Sequence, residues 1–179
     1  MASLIFQDNV PASYRTAFVA KIIQVAANLG INPNWLMIII YFESARSFSP
    51  SKFSATKNYV GLIQFGHVAA KDLGTSVAKL SKMTAVQQLD YVEKYYKMWF
   101  RYLRISIPNS FVDFYLVTLF PIKVNKGHDA VIESKAIPGV AFAKANRAFK
   151  PNASGKITVG EVNRVLMTKI PMDWISSIV

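Results

Sequence analysis

Residues 31–65 read INPNWLMIIIYFESARSFSPSKFSATKNYVGLIQF, and how this stretch folds decides the architecture. Asn32 before Pro33 is a helix start. An Asn side chain can accept from the orphan N–H groups of the first turn, and proline's fixed φ suits the first helical position. Eight consecutive apolar residues follow, Trp35 to Phe42, and a single carboxylate, Glu43, closes them. A helix that is apolar on every side is buried on every side, so this segment is expected to be the central helix of a bundle. Ile and Tyr also favour strands, which makes a buried strand over residues 37–41 the competing reading. The cap and the neighbouring pattern favour the helix.

Working outward, Asp8 or Asn9 with Pro11 reads as the start of a preceding helix. Phe18, Ile22, Val25 and Leu29 then recur at helical spacing up to the stop at Gly30. Downstream, Ser47 to Lys57 is rich in Ser and Lys and reads as a loop. A short helix is expected from about Gly66 to Leu73, and another short helix or turn over residues 75–82. Thr84 with Gln87 forms a capping box that opens a long helix to about Arg104. Leu89, Val92, Tyr96, Trp99 and Leu103 make its apolar stripe, while Lys94, Lys97, Arg101 and Arg104 line another face. Pro108 breaks that helix, Asn109 or Ser110 caps the next, and Pro121 ends it. Residues 121–137 read as irregular, with room for a short hairpin. A helix over residues 138–149, a turn over 151–155 and a second capping box, Thr158 to Glu161, complete the chain. Strand patterns are nearly absent. The expected fold class is mainly α, with at most a small hairpin, in one domain over 1–179.

The 179 residues are 52% apolar and 17% charged, enough to bury a substantial core and too apolar for disorder. No run reaches the roughly 18–20 apolar residues that span a bilayer, so no integral membrane segment is expected. Residues 1–9 lack the basic and apolar regions of a secretory signal. With no cysteine, disulfides and thiolate metal sites are excluded. The net charge of +11 favours polyanionic partners. Its basic residues are scattered and no nucleic-acid motif is present, so a nucleic-acid partner is not expected.

Glu43 is the residue that could carry chemistry. A carboxyl at the lip of the most apolar segment is desolvated, and the negative end of a helix dipole disfavours a second negative charge. Both push towards a carboxylic acid that keeps its proton near neutral pH. Such a group can protonate the leaving oxygen of a glycosidic bond. The plain alternative is a solvated glutamate at a helix end.

Phe42-Glu43-Ser44, Phe48-Ser49-Pro50 and Gly61-Leu62-Ile63-Gln64-Phe65, taken in order, resemble the lysozyme-like peptidoglycan lytic transglycosylases, most of all the phage-associated members. AAKDLG over 69–74, MTAVQQLDYVEKY over 83–95 and Phe114-Tyr115 leading to Pro121 follow the same order. The resemblance implies a goose-type, soluble lytic transglycosylase-like helical bundle that cleaves the bond between N-acetylmuramic acid and N-acetylglucosamine. It implies Glu43 as catalytic acid and base, with Gln64, Ser44, Tyr59, Phe65 and Tyr115 as candidate substrate-binding residues. Gln64 would line the glycan groove, Tyr59 and Phe65 could flank it, and core packing is the plainer role for Phe65. A lone glutamate suits formation of a 1,6-anhydro product. Hydrolysis, as in goose-type lysozymes, and a non-catalytic wall-binding or phage-tail domain are the alternatives. The implied partner is the peptidoglycan glycan strand, with phage-tail or secretion-machine proteins as further candidates. Without a signal peptide, the expected route to the wall is in a virion or by non-classical delivery.

Two departures stand out. Lys57-Asn58-Tyr59-Val60 replaces a Ser-Gly-Ala stretch, and Leu119-Phe120-Pro121 stands where many relatives carry Ala-Tyr-Asn. Residues 150–161 have EF-hand-like spacing, with Asn152, Ser154, Gly155 and Glu161 at ligand or turn positions. Lys150 occupies the first ligand position, so no calcium is expected there. His67 and His128 lack metal-ligand spacing, and neither a metal nor any other cofactor is expected.

Overall fold

The computed structural model describes residues 3–178. The protein is mainly helical, with one two-stranded sheet among the described residues. It divides into two compact units, residues 1–107 and 108–179.

In the first unit, α1 spans Arg15–Leu29. It starts later than the Asp8-to-Pro11 signal predicts. Val10 precedes a proline and is therefore held extended (φ −69°, ψ 128°), so no helix can run through it. Residues 7–9 form a separate 3-10 turn instead, tied down by Arg15, whose guanidinium donates to the Val10 and Asp8 carbonyls at 3.0 Å each. Phe18, Ile22, Val25 and Leu29 are buried as the spacing requires, and Gly30 ends α1 in the left-handed conformation at φ 68°.

The chain then turns through 117° into α2, Pro33–Glu43. Asn32 is its N-cap, accepting from Asn34 N–H at 2.9 Å, and Pro33 sits in the first turn. The apolar run is helix, not strand. Leu36 to Ile40 are each 0% exposed, and five consecutive residues point in every direction around a helix axis. Each such side chain contributes about 1.5–3 kcal/mol through burial. Burial is complete only in the middle of α2, because Trp35, Tyr41, Phe42 and Glu43 at its ends keep partial exposure.

Two short helices, α3 (His67–Asp72) and α4 (Val77–Leu80), lead into α5, Ala85–Leu103. Both halves of the Thr84–Gln87 capping box are formed. α5 packs along α1, and Lys21 pairs with Asp90 at 2.7 Å between them. Of the basic face, Lys97 pairs with Glu93 at 2.6 Å, Lys94 lies 4.9 Å from the Tyr91 ring centre, and Arg101 and Arg104 are exposed.

The hairpin lies in this unit and not in residues 121–137. β1 (Tyr59–Val60) pairs antiparallel with β2 (Phe65–Gly66), and Phe53 bridges to Val60 on the outer side. The sequence hides it because each strand is two residues long, too short for alternation to register.

In the second unit, α6 (Phe111–Leu119) is capped by Ser110 and followed by a 3-10 turn at Pro121–Lys123. The expected helix over 138–149 is α7 (Gly139–Ala145) plus a 3-10 turn, Arg147–Phe149. They are separated where the Asn146 side chain donates to the Phe142 carbonyl at 2.9 Å and its backbone leaves the helical region. The EF-hand-like loop is an Asn-centred turn: Asn152 Oδ1 accepts from Ser154 N–H, Ser154 Oγ and Lys156 N–H at 3.0, 2.6 and 3.3 Å. α8 (Val159–Met167) carries the second capping box, with Val159, Val162 and Leu166 buried, and α9 (Met172–Ile175) follows. No single helix among the described residues is long and apolar enough to cross a membrane.

Candidate active site

Glu43 is the last residue of α2 and is partly exposed. The six residues after it form an unusual turn: Ala45, Arg46 and Phe48 all have positive φ, at 52°, 67° and 52°. For residues with a Cβ this conformation costs about 1–2 kcal/mol each, so the surroundings must hold it. Phe48 is held best. Its ring is fully buried, 5.7 Å from Phe18 and 6.1 Å from Tyr41 between centroids. Its N–H donates to Ser44 Oγ at 2.9 Å, and its carbonyl accepts from Tyr14 OH at 3.0 Å. Tyr41, one turn from the end of α2, stacks on Phe6 at 3.8 Å and has the Arg46 guanidinium 5.9 Å from its ring centre. The end of α2 is thus clamped by aromatic packing around Tyr41.

Ser44 is fully buried, and its hydroxyl closes this turn. Its position argues for shaping the loop and against touching a ligand. The chain then runs to Lys52, whose carbonyl meets the hairpin: Gly61 N–H donates to it at 2.8 Å and Gln64 Nε2 at 3.0 Å. Gln64 Nε2 also donates to the Gly61 carbonyl at 3.1 Å. Both amide hydrogens are therefore used on backbone, which leaves Gln64 Oε1 as an acceptor with no partner among the described residues. Gln64 holds φ 54° at the hairpin corner and stays partly exposed. It can accept a hydroxyl or amide proton from a ligand, but donation would first require breaking a bond to the backbone.

The aromatic candidates separate. Tyr59 is 49% exposed and lies over Gly66, where a Cβ would stand 3.0 Å from its ring. The absent side chain at Gly66 lets the ring settle on the hairpin while its outer face stays in solvent. Phe65 is 2% exposed, and its ring edge meets Tyr95 at 6.1 Å, so it packs the core and does not flank a groove. Tyr115 is also buried, in α6 of the second unit, edge-on to Phe149 at 6.3 Å, and its ring serves packing there.

Two residues of the 83–95 segment that the sequence does not single out join them. Tyr95 of α5 is nearly buried, and its phenol is pushed well above the ordinary 10.0, first by desolvation and further by the negative charge of Glu43. The Trp99 indole acts the other way and favours the phenolate, although its N–H completes no hydrogen bond of full geometry and stays buried without a partner. The Tyr95 ring also meets Phe65 of the Gly61–Phe65 block edge-on. Two helical turns earlier on the same face of α5, Gln88 is fully buried beneath the hairpin. Neither residue is legible from its neighbourhood. Gln88 follows another glutamine at the start of an amphipathic helix, and Tyr95 sits beside Tyr96 in the apolar stripe.

Because folded Tyr95 keeps its proton above the ordinary 10.0 while the unfolded chain releases it, its contribution to stability is intact below that pH and declines as pH rises beyond it. Tyr14, raised by burial, acts in the same direction. Tyr95→Phe is expected to make the loss of stability above about pH 10 shallower, measured by urea unfolding at neutral and alkaline pH. An unchanged alkaline slope contradicts the placement of this hydroxyl.

Three other acids of α5 and α6 have partners. Asp90 pairs with Lys21, Glu93 with Lys97 and Asn28, and Asp113 accepts from Ser110 Oγ and Asn125 N–H. Among the described residues no group of three or more His, Cys, Asp or Glu side chains could hold a metal ion. No family model and no curated protein matches the chain.

Proposed function

We propose that the protein is a lysozyme-like enzyme that cleaves peptidoglycan glycan strands between N-acetylmuramic acid and N-acetylglucosamine. The observation that carries this reading is Glu43 at the end of the buried helix α2, with Gln64 held at the hairpin corner by two bonds from its amide nitrogen to backbone carbonyls. Asp90, Glu93 and Asp113 are engaged elsewhere, which favours a single-carboxylate route over the paired-carboxylate scheme.

In that route the Glu43 carboxylic acid gives its proton to the glycosidic oxygen as the C1–O bond breaks. The resulting carboxylate then takes the proton of the same sugar's C6 hydroxyl, whose oxygen bonds to C1. The product is a 1,6-anhydro sugar, water is not consumed, and Glu43 ends protonated as it began. Gln64 Oε1 accepts from a sugar hydroxyl or acetamide N–H, and the outer face of Tyr59 offers a stacking surface. The net charge of +11 suits the acidic polymers of a bacterial envelope.

Mass spectrometry of products from purified sacculi tests the chemistry. Glycan fragments one water lighter than hydrolysis products are expected. Fragments with ordinary reducing ends would make the enzyme a goose-type hydrolase, and absence of any fragment would leave a binding domain.

A further inference from the structure

Gln88 uses its whole amide on three separate segments. Its Oε1 accepts from Leu62 N–H at 2.7 Å, and its Nε2 donates to the Pro50 and Leu80 carbonyls, each at 3.0 Å. The reversed amide would face an N–H with an NH2 group and two carbonyls with an oxygen, so only this orientation satisfies all three contacts. The side chain is 0% exposed and reaches no ligand itself. Gly61 is its complement: a Cβ there would lie 2.2 Å from Gln88 Oε1, and the glycine holds φ 85°.

We infer that Gln88 is the positioning residue of the Glu43 site, fixing the hairpin corner that bears Gln64 against the loop leaving Glu43. The inference rests on the catalytic reading above. Pro50 belongs to that loop, Leu62 to the hairpin and Leu80 to α4, and the one Gln88 amide bonds all three. Without the amide, the 61–64 turn keeps its links to Lys52 but loses its anchor to α5. Gln64 would then sample positions in which its Oε1 no longer meets the glycan. The three bonds go to Leu62, Pro50 and Leu80 and none to Glu43, so the proton chemistry of Glu43 should be spared.

The test is Gln88→Leu in the full chain, assayed on soluble peptidoglycan glycan fragments. A fall in kcat/KM on the order of 100-fold is expected, carried mainly by KM. The pH profile of kcat should be unchanged, and amide exchange at Leu62 should be faster than in the wild type. A folded variant that keeps kcat/KM within about threefold overturns the proposal, as does a loss carried by a shifted kcat profile. If Gln88→Leu does not fold, Gln88→Glu replaces it. A protonated carboxyl can both accept and donate, whereas a carboxylate cannot donate to Pro50 or Leu80. Activity that survives at acid pH and falls with rising pH more steeply than the wild type supports the role, and a parallel profile overturns it. Should Glu43→Gln leave activity intact, the catalytic reading fails by itself, while Leu62 exchange still reports on the clamp.

Discussion

Gly61→Ala is expected to be far more damaging than alanine at other glycines of positive φ. The new Cβ would stand 2.2 Å from Gln88 Oε1 and 2.6 Å from Nε2, and Gly61 itself holds φ 85°. Left-handed backbone with a Cβ costs about 1–2 kcal/mol. Overfilling a packed site costs about 1–3 kcal/mol. Pushing Gln88 away leaves Leu62 N–H and two carbonyls short of partners, at about 1–3 kcal/mol for a buried group left unpaired. A destabilisation of about 3–8 kcal/mol follows, read as a lower urea midpoint at unchanged slope. Gly74→Ala is the control: its φ is 71°, but nothing lies within 4 Å of the added Cβ, so only the backbone cost of about 1–2 kcal/mol should appear. Equal effects at the two positions would show that the Gln88 contact carries no weight.

Phe48→Ala is expected to cost about 3–5 kcal/mol, the range for removing a large side chain from a core. Phe48 is 0% exposed and its ring contacts Phe18 and Tyr41, which link α1 and α2 to the turn after Glu43. The cost falls at a place where the backbone is already strained, since Ala45 and Arg46 also have positive φ. With the ring gone, little opposes relaxation of that turn. A drop in melting temperature on the order of 10 °C is expected, together with faster amide exchange across residues 44–48. A change within about 2 °C would mean that the turn does not depend on this ring.

Much of this architecture was readable because it obeys local rules. The Asn32–Pro33 start, the Thr84–Gln87 and Thr158–Glu161 boxes and the Gly30 stop are each decided by groups within one helical turn, and each is formed. The start of α1 was misread because Pro11 signals a first turn in one context and an extended predecessor in another. The hairpin was missed because its order comes from tertiary contacts: Gly61 N–H on Lys52, Phe53 on Val60, and Gln88 beneath.

The site divides the same way. The apolar run marks the end of α2, where Glu43 is the last residue, and Gln64 lies at the corner of the compact hairpin block. The roles of Ser44, Phe65 and Tyr115 could not be read from spacing, since burial is decided by partners far away in the chain. Ser44 is spent on Phe48, Phe65 on Tyr95, and Tyr115 on Phe149. Gln88 and Tyr95 lie on α5, within the 83–95 segment, and gain meaning only through their contacts with the hairpin.

If Glu43 transfers the proton in glycan cleavage, replacing it should stop the reaction. Glu43→Gln keeps shape and hydrogen-bonding capacity while removing the titratable proton, and the partial exposure of this residue makes the change tolerable to the fold. A positioned general acid is worth about 10²–10⁴ in rate. The direct measurement is clearance of purified sacculi by wild type and Glu43→Gln side by side, with unfolding curves confirming equal stability. Wild-type clearance with a variant slower by at least about 100-fold is the expected result. Equal clearance by both would contradict the assignment.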